Sequence, residues 1–62
     1  MFTVYCFIVD TQTGAALVEP VMVCRTEVGA LAHAVVLTIK DRDCIDALAA
    51  DGFEMYFDVS PC

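Results

Sequence analysis

The hydrophobic period of this chain changes twice, and that pattern limits the architectures it can adopt. Apolar residues run through Phe2 to Val9 and through Ala15 to Cys24 in the manner of β-strands. From Thr26 the period becomes 3.6 residues, as in an α-helix, and strict alternation returns from Phe53 to Val59. The pattern therefore predicts a β-β-α(α)-β order in one α+β domain over residues 1–62.

Local turn chemistry indicates how the strands connect. The side chain of Asp10 can accept hydrogen bonds from the backbone ahead of it, and Gly14 can adopt the positive φ that closes a hairpin. Pro20 has no N–H to donate to a neighbouring strand, so it indicates an edge strand with a bulge or bend. We expect a three-stranded antiparallel sheet with the first strand in the middle and one helical layer on one face.

The helical segment leaves two interpretations open. Thr26 has a side chain suited to an N-cap, and Glu27 in the first turn suits the helix dipole. Asp41-Arg42-Asp43 interrupts the periodicity, so a second short helix can begin there and end at Asp51-Gly52. The alternative is a single bent helix that continues to Ala50, because no proline or glycine separates the two halves.

The first half of this segment is apolar on both sides. The periodicity predicts five residues on the side that packs against the sheet: Val28, Leu31, Ala32, Val35 and Ile39. The opposite, outward side then carries Ala30, His33, Ala34, Leu37 and Lys40. An outward leucine on such a face favours Leu37 as a contact for another protein.

A single helical layer leaves the second face of the sheet uncovered. Alternation places six residues there, four apolar or aromatic and two acidic at the rim: Tyr5, Phe7, Val9, Tyr56, Glu54 and Asp58. A chain of this length buries only about 60% of its unfolded surface, although 60% of its residues are hydrophobic. We therefore expect another protein to cover part of this surface, either a second copy in a homodimer or a different partner.

The net charge of the chain indicates which class of partner it can bind. Nine Asp and Glu residues against three Lys and Arg give a formal net charge of −6. This charge repels phosphate, which argues against direct nucleic-acid binding and favours a basic protein partner. Five acidic residues are expected to steer such a partner: Asp41, Asp43, Asp46, Glu54 and Asp58.

No spacing in the sequence predicts catalysis, a cofactor or a bound metal. The aspartates between Asp41 and Asp51 do not fit a calcium-binding loop, and His33 is the single histidine. The four cysteines lack a C-x-x-C pair: Cys6, Cys24, Cys44 and Cys62. We therefore expect a protein that is not an enzyme and needs no cofactor.

The apolar segments of the sequence do not resemble a signal peptide or a membrane-spanning segment. The apolar stretch from Val4 to Val9 is too short for a signal-peptide core and has no basic residues before it. No uninterrupted run of about 20 apolar residues is present to span a membrane. A cytoplasmic location with reduced thiols is therefore expected.

Several short motifs occur in a recognisable order. An aromatic strand is followed by Asp10-Thr11-Gln12-Thr13-Gly14, Glu19-Pro20-Val21, Ala32-His33-Ala34-Val35 and Gly52-Phe53-Glu54-Met55-Tyr56. This series resembles the small non-structural proteins of gokushovirus-type microviruses. The resemblance implies a phage accessory protein that acts in the cytoplasm of the host cell.

These observations lead to two functional hypotheses. The first is a non-enzymatic interaction protein that binds and blocks a larger, basic, nucleic-acid-handling protein, such as a host-defence nuclease complex. Its apolar contacts would come from Tyr5, Phe7, Tyr56 and Leu37. The alternative is a homo-oligomeric structural or replication-accessory phage protein with no inhibitory role.

Overall fold

Three β-strands and two α-helices form the fold, in the order that the sequence predicts. The computed structural model describes all residues from Met1 to Cys62. The elements are β1 (Phe2–Asp10), β2 (Ala16–Cys24), α1 (Glu27–Lys40), α2 (Arg42–Ala50) and β3 (Phe53–Pro61). The predicted α+β fold class is confirmed.

The first strand is the centre of a three-stranded antiparallel sheet of order β2-β1-β3. β1 pairs with both neighbours along nearly its whole length. The register with β2 shifts once, because Val4 pairs with Met22 whereas the next residue, Tyr5, pairs with Pro20. Val21 is therefore the extra residue of a bulge, and the predicted edge position and irregularity of β2 are confirmed.

The two tight turns contain the chemistry that the sequence indicates. Asp10 Oδ1 accepts hydrogen bonds from the backbone N–H of Gln12 at 2.9 Å and of Thr13 at 3.4 Å. Gly14 follows with φ of 78°, and Gly52 adopts φ of 87° between α2 and β3. Both values lie in the left-handed region that favours glycine. These turns fix where β2 and β3 begin.

The helical segment consists of two helices, so the single bent helix is wrong. Thr26 caps α1, since its Oγ1 accepts a hydrogen bond from the Gly29 N–H at 3.0 Å. The chain leaves helical geometry at Asp41, whose φ is −97° and ψ is 18°. The side chain of Asp41 makes no capping hydrogen bond to α2. The change of direction therefore depends on backbone geometry at this residue.

Helix α1 presents the opposite side to the sheet from the one predicted. Its buried residues are Ala30 and Ala34, and Leu37 packs against them together with Val4. The prediction that Leu37 faces outward is therefore wrong, because this side chain belongs to the core. The larger aliphatic residues are instead exposed: Val28 (78%), Leu31 (48%), Val35 (59%), Val36 (57%) and Ile39 (69%).

Side-chain size explains this orientation. Ala30 and Ala34 lie one helical turn apart, and their small side chains allow the backbone of α1 to approach β1, where Val4 is completely buried. Bulky side chains on the same face would hold the helix further from the sheet. Both faces of α1 are apolar at the same period, so periodicity alone cannot decide between them.

The resulting molecule is thin and has a small core. Only Thr3, Val4, Ala30 and Ala34 are buried, and the Cα atoms span 35 × 22 × 12 Å. The accessible surface is 4347 Å², whereas a compact monomer of this mass exposes about 3900 Å². The radius of gyration is 12.0 Å, compared with about 10.6 Å for a typical domain of this length. The fold therefore exposes more surface than a compact monomer of its mass does.

Two alanine substitutions test the orientation of α1. Ala30→Leu adds a bulky group to the closed helix–sheet contact, so it should lower the free energy of unfolding by about 1–3 kcal/mol. Ala32→Leu makes the same change on the exposed side and should alter stability by less than about 0.5 kcal/mol. Urea unfolding at low protein concentration measures both. The reverse ranking would show that α1 presents its larger aliphatic residues to the sheet.

Candidate functional site

The uncovered face of the sheet brings together the aromatic residues that the sequence places there. Phe7 in β1 lies opposite Tyr56 in β3, and their rings stack with centroids 5.0 Å apart and planes inclined by 2°. Tyr5 meets Phe7 edge to face, with centroids 6.4 Å apart. We name this surface the open sheet face, defined by Tyr5, Phe7, Val9, Glu54, Tyr56 and Asp58.

Two carboxylates lie on the same face along the edge strand β3. Glu54 is opposite Val9 and Asp58 is opposite Tyr5, so the acids alternate in register with Tyr56. Asp58 Oδ1 accepts a hydrogen bond from the Val59 N–H at 2.8 Å, which helps to fix this carboxylate. Both acidic side chains are exposed. The predicted combination of aromatic rings with an acidic rim is therefore present in one surface.

Strand β2 adds apolar residues to this face that the sequence pattern did not identify. Val18 lies opposite Phe7 and Val23 lies opposite Thr3. These two valines share a face although they are an odd number of residues apart, because the bulge at Val21 shifts the alternation between them. The signal in the sequence is Pro20. If the alternation is shifted by one residue after this proline, Val18 and Val23 both fall on the open sheet face.

At one end of the open sheet face, Cys62 contacts the side chain of Thr3. The Sγ atom of Cys62 lies 2.7 Å from Oγ1 of Thr3, which is buried, and the Cys62 N–H donates to the carbonyl of Met1 at 3.0 Å. The hydroxyl of Thr3 thus has a polar partner. At this end of the sheet Thr3 is therefore covered, whereas Val23 opposite it stays exposed.

The remaining predicted contact residues lie elsewhere. Asp43 and Asp46 are exposed on α2, in the helical layer on the other side of the sheet. Asp41 is half-buried at the junction of the helices, and Leu37 is half-buried against the core residues. Asp43 and Asp46 therefore lie on the opposite side of the sheet from the open sheet face, and one flat partner surface does not contact both sides.

Cys6 occupies the helical side of the sheet in a negatively charged environment. It pairs across the strands with Glu19, and burial raises the pKa of its thiol. The charges of Glu19 and Asp41 and the neighbouring Cys44 raise that pKa further. A thiol whose pKa is raised is less ionised at neutral pH and is therefore a weak nucleophile.

Three further findings bear on function. The structure contains no group of three or more His, Cys, Asp or Glu side chains arranged to hold a metal ion. Neither helix has the length and apolar character needed to cross a membrane. Comparisons of the chain with protein families, with curated proteins and with solved structures find no match.

The stacked pair can be tested by a double-mutant cycle. Phe7→Leu and Tyr56→Leu should show a coupling of about 0.5–1.5 kcal/mol in the free energy of unfolding, since stacked rings interact beyond their burial. Phe7→Leu combined with Phe53→Leu is the control, because Phe53 is on the helical side, and its effect should be additive. Equal coupling in both cycles would contradict a specific ring contact.

The environment of Cys6 predicts slow alkylation. Iodoacetamide should label Cys6 with a pH profile displaced above the ordinary thiol pKa of 9.0, and the displacement should disappear when the chain is unfolded in urea. Because the folded state holds this proton more tightly, the associated stabilisation is complete below pH 9 and is lost as pH rises through the folded pKa. Mass spectrometry of the labelled peptides measures both profiles, and identical folded and unfolded profiles would refute the raised pKa.

Proposed function

We propose that this protein is a non-enzymatic binding module that contacts a basic protein through the open sheet face. The observation that supports this proposal is the stacked Phe7–Tyr56 pair with Glu54 and Asp58 beside it on one uncovered face. Aromatic groups at an exposed surface provide most of the contact energy in many interfaces. The adjacent carboxylates add a requirement for positive charge in the partner.

The sheet holds these aromatic side chains in place before any partner binds. Phe7 is in the central strand, which is hydrogen-bonded on both sides, and its ring packs against both Tyr5 and Tyr56. Ordering side chains at an interface costs about 0.5–1.5 kcal/mol for each flexible group. A prearranged aromatic cluster avoids much of this cost. A small surface of this kind is therefore able to bind specifically.

The charge of the chain supports a nucleic-acid-handling protein as the partner class. A net charge of −6 opposes contact with phosphate, and it complements the basic grooves in which such proteins hold nucleic acid. An acidic module seated in that groove would exclude the nucleic acid by occupying its site. The proposed action is inhibition of a host-defence nuclease complex by a phage accessory protein, in agreement with the microvirus resemblance.

A second candidate is a homo-oligomeric structural or replication-accessory protein. The exposed aliphatic side of α1 favours it, because that surface suits self-association and carries no acidic residue. In this case the protein would act without a heterologous target. Capture of a stoichiometric partner distinguishes the two functions.

Matched charge reversals test the proposed contact surface. The immobilised wild-type chain is first used to capture partners from bacterial extract, and the affinity of the purified partner is then measured by surface plasmon resonance. Glu54→Lys/Asp58→Lys should weaken binding about ten-fold, because two attractive contacts become repulsive. Asp43→Lys/Asp46→Lys changes the net charge equally on the opposite side of the sheet and should leave affinity within about two-fold.

The other outcomes of the capture and charge-reversal experiment would contradict parts of the proposal. Equal weakening by both variants would show that overall charge, and not the open sheet face, determines binding. Absence of a stoichiometric partner would favour the homo-oligomeric function. A partner that binds but processes nucleic acid at an unchanged rate would contradict inhibition while leaving the contact intact.

A further inference from the structure

A continuous apolar stripe covers the outward side of α1. Val28, Ala32, Val35 and Ile39 follow one another at spacings of four, three and four residues, which is the heptad repeat of a coiled-coil seam. Leu31 and Val36 flank this seam, and all six residues are exposed. We name these six residues the α1 stripe.

The stripe contrasts with the side of α1 that packs against the sheet. That inner side has two alanines and one leucine, whereas the α1 stripe has five large aliphatic side chains and no charge. A helix face in contact with water is normally polar. Burying a large aliphatic side chain contributes about 1.5–3 kcal/mol, so most of the hydrophobic free energy available to α1 depends on a surface outside this chain.

We propose that the α1 stripe packs antiparallel against the α1 stripe of a second copy of this chain. The stripe is symmetric about the midpoint between His33 and Ala34. In an antiparallel pair centred there, Val28 of one copy lies opposite Ile39 of the other, and Ala32 lies opposite Val35. A two-fold axis requires a surface to be complementary to itself, and this order of residues meets that requirement.

Charge at the ends of the helix favours the antiparallel arrangement. Glu27 is in the first turn and Lys40 is in the last turn. Antiparallel packing brings Glu27 of one copy to the axial height of Lys40 of the other, on the opposite flank of the seam, whereas parallel packing would bring like charges to the same height. It also sets opposite ends of the two helix dipoles side by side. The seam itself is uncharged, so the negative charge of the chain lies away from the contact.

A groove beside the stripe provides a place for the second copy. It has a volume of about 320 Å³ and is lined by Leu31, Ala34, Val35, Thr38, Ile39 and Phe57. In the antiparallel pair, Leu31 of the second copy lies on the same flank of the seam as Leu31 of the first copy. Its position along the helix axis is level with residue 36 of the first copy. Its side chain therefore enters this groove in the manner of a knob in a hole.

The available area indicates a weak dimer. The contact consists of one face of a 14-residue helix on each copy, which is a small interface. Stable interfaces bury about 1,200–2,000 Å² in total, and weaker or transient ones bury less. The dimer should therefore dissociate on dilution. The pair has the layer order sheet–helix–helix–sheet and leaves both open sheet faces free for the proposed partner.

Sedimentation velocity in reducing buffer over a wide concentration range tests the proposal. The wild type should show a reversible monomer–dimer equilibrium, and Val35→Glu should weaken it at least about ten-fold by placing charges in the centre of the seam. Val23→Glu is the matched control, since Val23 is 58% exposed on the open sheet face and Val35 is 59% exposed. It should leave the equilibrium unchanged.

A second measurement on the wild type does not depend on any variant folding correctly. Isotope-filtered nuclear Overhauser spectra of a mixed labelled and unlabelled sample should show contacts between the methyl groups of Val28 and Ile39. These residues are about 16 Å apart along one helix, so a contact can only come from antiparallel copies. A wild type that stays monomeric, loss of the dimer in Val23→Glu alone, or a Val28–Val28 contact would each overturn the proposal.

Discussion

The contact of two alanines in α1 with Val4 determines how the rest of the molecule is arranged. Ala30 and Val4 are completely buried, so a larger side chain at position 30 would have to displace the helix from β1. Because the small residues occupy the closed side, the large aliphatic residues of α1 are directed to solvent. The same contact makes the core small, so the aromatic rings on the other side of the sheet stabilise the fold as well as forming a surface.

The sequence predicted those features that depend on local chemistry. The hairpin after Asp10, the cap at Thr26 and the edge character of β2 each follow from one or two residues whose backbone preferences are strong. The aromatic and acidic residues of β1 and β3 were also placed correctly, because those strands alternate without interruption. The residues of β2 were not assigned to the two faces of the sheet, because the bulge at Val21 interrupts the alternation in that strand.

The errors concern the choice between two similar faces. Leu37 and the valines of α1 have the same period, so only the fit of alanines against Val4 decides which group is buried. The positions of Asp43 and Asp46 depend in turn on where α1 ends and α2 begins, since that junction carries them to the helical side. These are tertiary constraints, and no single segment of the sequence contains them.

The pairing of β1 with β3 has a consequence for how the chain folds during synthesis. Phe2 pairs with Pro61 and Asp10 with Phe53, so one whole edge of the central strand is satisfied by the last strand to be made. β1 and β2 can form their hairpin early, but the other edge of β1 then remains open while both helices are synthesised. An open, apolar strand edge is a template for pairing with other nascent chains. Pairing with β3 therefore closes an edge of β1 that would otherwise be open to other chains.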